Sequence, residues 1–145
     1  MDDFSEYVAA RWPTLVRSAV LLGCSHPEAE DLVQTALERC LVKWNKVRAA
    51  DDRDAYVHRV LVERLNAVTR RHPRALPDLG PADPVLGRLR RLPEEQRRAL
   101  VLCDYAGLDA MQAATAMAVS AGRVESCLGP AREALAATVP LRSTA

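Results

Sequence analysis

Aromatic side chains are scarce in this 145-residue chain: one Phe, two Trp and three Tyr, 4% of the sequence. A core must therefore be built from aliphatic residues, and the abundance of alanine, leucine and arginine favours helix. No segment alternates apolar and polar residues with β-branched side chains, which argues against a sheet. The six glycines form no phosphate-cradling loop, and no nucleophile motif or metal cluster stands in the sequence, so no catalytic residue is identified and an enzyme is not expected. The four cysteines, Cys24, Cys40, Cys103 and Cys127, make no C-x-x-C pair, and three fall on apolar faces of helical patterns. They read as small buried hydrophobes in a reducing compartment; no metal and no cofactor is expected. His58 and His72 have no catalytic partner in the sequence. Net charge is only +1, so any nucleic-acid contact must come from local patches. The start, Met1-Asp2-Asp3, lacks the basic and apolar runs of a signal peptide, and no stretch reaches the roughly 20 apolar residues of a membrane span. The expectation is a cytoplasmic protein without membrane contact.

What is present is helical periodicity. Phe4, Val8, Trp12, Leu15, Val16, Ala19 and Leu22 keep helical spacing, with a kink or break expected at Pro13. Gly23 suits a helix C-cap, and Ser25 and Glu28 are spaced as a capping box with Pro27 in the first turn. The next helix, to about Trp44, has an apolar side of Ala29, Leu32, Val33, Ala36, Leu37, Cys40, Leu41 and Trp44. Asp31, Gln34 and Glu38 form a polar stripe on another side. Residues 48–52 read as a connection, followed by a helix from Arg53 to Arg71 with Val57, Val60, Leu61, Leu65 and Val68 inward.

Residues 73–87 carry Pro73, Pro77, Gly80, Pro81 and Pro84 without apolar periodicity and read as a linker. It divides the chain into domains at 1–72 and 88–145, each too small to bury much surface alone. In the second, Pro93 fits a first helical position, Gly107 ends that helix, and Asp109 caps a short helix to Met117. A turn at Ala118-Val119 follows, and Ser120 caps a last helix through Val124, Leu128, Ala131 and Leu135. Short helix, tight turn and longer helix make a helix-turn-helix pattern. The fold class expected is all-α, two small helical domains joined by a Pro-rich linker.

Two segments carry a family resemblance. His26-Pro27-Glu28-Ala29-Glu30-Asp31-Leu32-Val33-Gln34-Thr35-Ala36-Leu37, with its flanks, is similar to the first domain of the extracytoplasmic-function sigma factors, specifically their actinobacterial two-domain group. Leu92-Pro93-Glu94-Glu95-Gln96 through the helix-turn-helix resembles the family's upstream-element reader. The resemblance implies core RNA polymerase and promoter DNA as partners, with an anti-sigma factor or another sigma factor as a further candidate. It assigns polymerase docking to Asp31, Gln34 and Glu38. To DNA contact it assigns Arg59, Asn66, Arg70 and Arg71 in the first domain and Ser120, Arg123, Ser126 and Arg132 in the second.

The recognition helix departs from the family pattern. Ser120, Gly122, Val124, Ser126, Leu128 and Ala131 keep the frame, but three usually basic positions hold Glu125, Cys127 and Pro130. That removes much of the phosphate-neutralising term, and Gly129-Pro130 predicts a kink or break. Glu63 stands where the family commonly has asparagine. Two functions therefore stay open. One is a sigma factor that directs promoter-specific initiation. The other is a degenerate sigma-like regulator that acts through protein contacts, with weak or no promoter recognition.

Overall fold

The periodic segments form helices throughout the computed structural model, which describes residues 3–71 and 84–136, the side chains of residues 70, 71 and 84 excepted. Helix α1 spans Asp3–Leu22, α2 His26–Val42, α3 Trp44–Ala49 and α4 Arg53–Arg71. Helix α5 spans Pro84–Arg91 and α6 Glu94–Leu100, continued by a π-helical turn over Val101–Tyr105. Helices α7, Ala110–Met117, and α8, Ala121–Ala136, complete the described chain, in which no β-strand occurs.

Pro13 lies inside α1 without ending it. Pro13 and Ala9 are both exposed, so the carbonyl that loses its N–H partner faces water and the expected break does not occur. Helix α1 ends in a Schellman motif: Gly23 takes a positive φ of 127°, Cys24 N–H donates to Ala19 O (3.1 Å), and Gly23 N–H donates to Val20 O (3.0 Å). The Ser25–Glu28 capping box of α2 is present in both directions, with Pro27 in the first turn.

The sequence pattern carries α2 to Trp44 and leaves residues 48–52 as a connection. Instead α2 stops at Val42 and the short α3 restarts at Trp44. The Trp44 ring packs edge-on against Phe4 (5.3 Å between centroids) and against Tyr7 (5.7 Å). Half of the chain's few aromatics thus form one cluster tying α3 to the start of α1.

Helix α4 buries Val57, Leu61, Val62, Leu65 and also His58. The Asp54 carbonyl only accepts, so His58 Nδ1–H donates to it (2.8 Å) and Nε2 accepts from Ser18 Oγ (3.1 Å). Burial lowers the His58 pKa and keeps the ring neutral. Tyr7 O–H donates to Asp54 Oδ1 (2.7 Å), and Arg11 pairs with the same carboxylate (3.0 Å), completing a polar seam between α1 and α4.

Beyond residues 72–83, which lie outside the described chain, regular structure begins at Pro84, inside the stretch read as linker. Proline suits a helix's first turn, and Leu86 and Leu89, three apart, are both buried. In the π-helical turn Ala106 N–H reaches Val101 O, five residues back (3.0 Å), and Gly107 closes it at φ 83°. Asp109 and Gln112 cap α7 reciprocally, Ala118 turns the chain in the left-handed region (φ 59°), and Ser120 Oγ accepts Arg123 N–H to cap α8. Helix α8 runs through Pro130 without the expected break, because Ser126, four residues before it, and Pro130 are both exposed to water. The apolar core is continuous across both halves: α4 packs against α7, and α1 against the π-helical turn.

Candidate nucleic-acid interface

Helix α2 presents two different surfaces. Asp31, Gln34 and Glu38 are all exposed along one stripe, with Gln34 Nε2 donating to Glu38 Oε1 (3.4 Å). The stripe continues to Leu41, which is 50% exposed and not on the buried side where the sequence pattern puts it; its neighbour Val42 is 85% exposed. Both sit in the last turn of α2, where Val42 borders the groove shared with α4.

Roughly a third of a turn around α2, Arg39 and Lys43 face α4. With Tyr56, Arg59, Val60 and Glu63 they line an open groove of about 360 Å³. The Arg59 guanidinium stacks over the Tyr56 ring at 4.8 Å and approaches Glu63 at 4.0 Å. A groove with cations around a partly exposed aromatic ring suits an unpaired nucleic-acid strand: the cations follow the backbone and the Arg59–Tyr56 stack offers a base a surface to stack on. Arg59 and Glu63 were legible from the sequence, while Arg39 and Lys43 were missed. Their signal is the i,i+4 pair on α2, legible only once α4 is known to lie beside it.

Asn66 lies two turns beyond Arg59 on the same face of α4. Its side-chain oxygen accepts a 2.6 Å hydrogen bond from Arg98 of α6, so this expected DNA contact is engaged with the C-terminal half. Arg98 also pairs with Glu94. At the other end of α4, Gln112 Nε2 donates to Asp52 Oδ2 (3.0 Å). The side chains of Arg70 and Arg71, also expected at DNA, lie outside the described residues.

On α8 all four expected DNA contacts are used within the molecule. Ser120 caps the helix, and Ser126 Oγ donates to the Arg123 carbonyl (2.9 Å). Arg123 makes a forked pair with Glu95 (2.6 and 2.9 Å), and Arg132 another with Asp104 (2.9 and 2.6 Å). The Arg123 guanidinium holds the Glu95 carboxyl below its ordinary pKa. Positions 95 and 104 meet 123 and 132 in the same order, so α6 with its π-helical continuation runs parallel to α8 and the two forks join them.

Of the three altered positions, Glu125 and Pro130 are exposed. Cys127 is buried, with its thiol 3.9 Å from Glu95. Its pKa is raised by burial and by the Glu95 charge. A cation at 127 would therefore meet a carboxylate before it met a phosphate.

Among the described residues no group of His, Cys, Asp and Glu could hold a metal ion, and no helix is long and apolar enough to cross a membrane.

Comparison with known proteins agrees with this layout. The family described as sigma-70, region 4 matches residues 83–135. The RNA polymerase sigma-E factor of Streptomyces avermitilis is 30% identical over 141 residues, covering 87% of this chain and 79% of that protein. Its counterpart from Streptomyces coelicolor is 31% identical over 142 residues, covering 87% and 80%. Among solved structures, the sigma factor RpoE of Bartonella quintana, in complex with the anti-sigma factor NepR, superposes with a TM-score of 0.78 at 24% identity, over 93% of this chain and 95% of that one. CnrH, in complex with the cytosolic domain of CnrY, gives 0.68 at 25% identity, over 92% and 85%.

Proposed function

The chain belongs to the extracytoplasmic-function sigma factors of RNA polymerase, and from that premise we propose that it performs promoter-specific initiation chiefly through the two surfaces of α2. In this reading Asp31, Gln34 and Glu38, extended by Leu41, dock on core polymerase. The groove of Arg39, Lys43, Tyr56 and Arg59 holds the strand separated at the downstream promoter element. The protein acts in the cytoplasm through binding rather than catalysis, and promoter DNA and core enzyme are its partners. Residues 1–72 and 88–145 are the two functional units, with α8 contributing a weak upstream contact.

The observation that carries this reading is the open groove of cations around Tyr56 beside a separate acidic stripe on the same helix. The test is a core-polymerase binding assay with Asp31→Lys combined with Gln34→Ala. Affinity should fall at least about tenfold, or roughly 1.4 kcal/mol, with helicity kept, since these side chains point away from Leu32, Val33 and Ala36. Unchanged affinity in a folded variant overturns docking through this stripe.

A second reading rests on α8, where the cations are paired internally and Glu125 and Pro130 face outward. There the chain is a sigma-like regulator that binds polymerase, another sigma factor or an anti-sigma factor without selecting promoters. Stable core binding with no promoter enriched by in vitro selection favours it.

A further inference from the structure

Arg90, Arg97 and Arg98 are close in sequence and meet beside the carbonyl end of α1. Arg97 is 6% exposed; its Nε–H donates to the Leu22 carbonyl (3.3 Å) and an Nη1–H to the Leu92 carbonyl (3.3 Å). Arg90 donates to the carbonyls of Val20 (3.3 Å), Gly23 (3.2 Å) and Cys24 (3.3 Å). A helix end carries only about half an elementary negative charge, and here two guanidinium groups share it. Arg98, its side chain 11% exposed, donates to Asn66 Oδ1 (2.6 Å) and pairs with Glu94. Glu94 thus matches Arg98, whereas the acceptors of Arg97 are neutral carbonyls. Burial lowers the Arg97 pKa; Glu94 opposes that shift, and the charges of Arg98 and Arg90 add to it. A buried cation without an anion of its own is costly, so this place in the fold is short of negative charge.

We propose that a small oxyanion of the phosphate class binds in the cavity of about 160 Å³ that Arg97 and Arg98 line together with Thr69, Leu22, Leu65 and Glu94. The donors suit it. Every N–H of a guanidinium can donate, and Arg97 gives two of them to carbonyls, which leaves others for a ligand. Arg98 Nε–H is buried without an acceptor. Thr69 adds a hydroxyl. Guanidinium forks match phosphate oxygens in pairs, and forks from two neighbouring residues favour a tetrahedral anion, with oxygens on several sides, over a flat carboxylate. Leu22 and Leu65 supply an apolar wall, against which the attraction between the charges is stronger than in water. Glu94 lines the same cavity with 55% of its side chain exposed, so it competes for Arg98 from the solvent side. A multiply charged anion outcompetes it by serving both arginines at once. The bound anion stabilises the fold by mass action where α1, α4 and α6 meet, away from the groove of Arg59 and Tyr56.

The test is calorimetric titration of the full chain, without polymerase or DNA, with inorganic phosphate, pyrophosphate and ATP, against sodium chloride at matched ionic strength. Phosphate and pyrophosphate should bind saturably and raise the thermal midpoint, and chloride should do neither. Heats and midpoints that follow ionic strength alone overturn the site. ATP separates the sources: an affinity no higher than that of pyrophosphate assigns a free inorganic anion, and a higher one assigns the phosphate end of a nucleotide. Saturable binding of none of these probes refutes the proposal. Arg98→Gln should weaken pyrophosphate binding at least about tenfold with helicity kept, and unchanged affinity in that folded variant overturns the site. If Arg98→Gln loses helicity, Glu94→Gln decides, because it removes only a half-exposed charge at the cavity. Pyrophosphate should then bind about threefold tighter, and equal or weaker binding refutes an anion beside Arg98.

Discussion

Arg59 on α4 and the pair Arg123 and Arg132 on α8 are the same residue type, on helices expected to do the same work, and the molecule treats them differently. Arg59 stacks on the partly buried Tyr56 in an open groove and meets its carboxylate only at 4.0 Å. The α8 arginines are each held in a two-point fork, Arg123 by an anion of α6 and Arg132 by one of the π-helical turn that continues it. Counting cations along a helix therefore overstates what it offers to phosphates. What matters is how much of that charge is already matched inside the fold. Both forks are exposed, and solvent-screened pairs of this kind stabilise little, so α8 is restrained rather than disabled.

The sharpest way to break this contrast is to change the charge of α8. Glu125→Lys with Pro130→Arg adds three charge steps at exposed positions and should steepen the salt dependence of duplex binding by up to about 2.7 log units per log unit of salt, about 40-fold in affinity between 50 and 200 mM. Cys127→Arg should add less, since Glu95 lies beside it. Removing the internal anions instead, as Glu95→Gln with Asp104→Asn, leaves the arginines in place and should steepen the slope by up to about 1.8. A titration in which this second variant matches the native slope would mean that the forks already yield to phosphate, and the contrast with Arg59 would collapse.

The two halves also differ in how their stability responds to conditions. His58 is buried neutral in the first half, so its folded pKa lies below the ordinary value of 6.5. The unfolded chain then binds the extra proton first. The contribution is complete above about pH 6.5 and falls as pH drops through that value, at up to about 1.4 kcal/mol per pH unit until the folded pKa is reached. Denaturant melts at stepped pH should show this decline in the native chain and a flatter one in His58→Gln. An equal decline in both would assign the acid sensitivity elsewhere.

The smallest expected effect is in the second half. Ala118 adopts φ 59°, a conformation that costs an alanine about 1–2 kcal/mol. Ala118→Gly relieves this at the cost of a more flexible unfolded chain and should raise stability by about 1 kcal/mol. A thermal midpoint equal to or below that of the native chain would show that the turn is not strained.

Features decided within a few residues were legible in the sequence: the Ser25–Glu28 box, the caps at Asp109 and Ser120, and the buried phase of Val124, Leu128, Ala131 and Leu135. Local rules misled where solvent intervened. A kink or break was expected at Pro13 and at Pro130; neither proline ends its helix, and the residues whose carbonyls they orphan are exposed to water. Leu41 matched the apolar period and still lies half exposed, on the side of α2 that also carries Asp31, Gln34 and Glu38. The site was harder to read, since the partners of Arg123, Arg132 and Asn66 are 28, 28 and 32 residues away. No spacing rule reaches that far. The carboxylates at 95 and 104 read as ordinary helix-start and helix-surface charges until α6 and α8 are placed side by side.

The four cysteines give the chain a chemical clock. Cys24, Cys40, Cys103 and Cys127 are all buried as thiols rather than disulfides, and burial raises the pKa of Cys40 to about 11 and pushes that of Cys103 upward. A folded molecule thus offers an alkylating reagent almost no thiolate, whereas an opened one offers ordinary thiols. The rate of thiol loss at fixed reagent then measures how often the unaltered protein comes apart, helix by helix, without a label or a substitution.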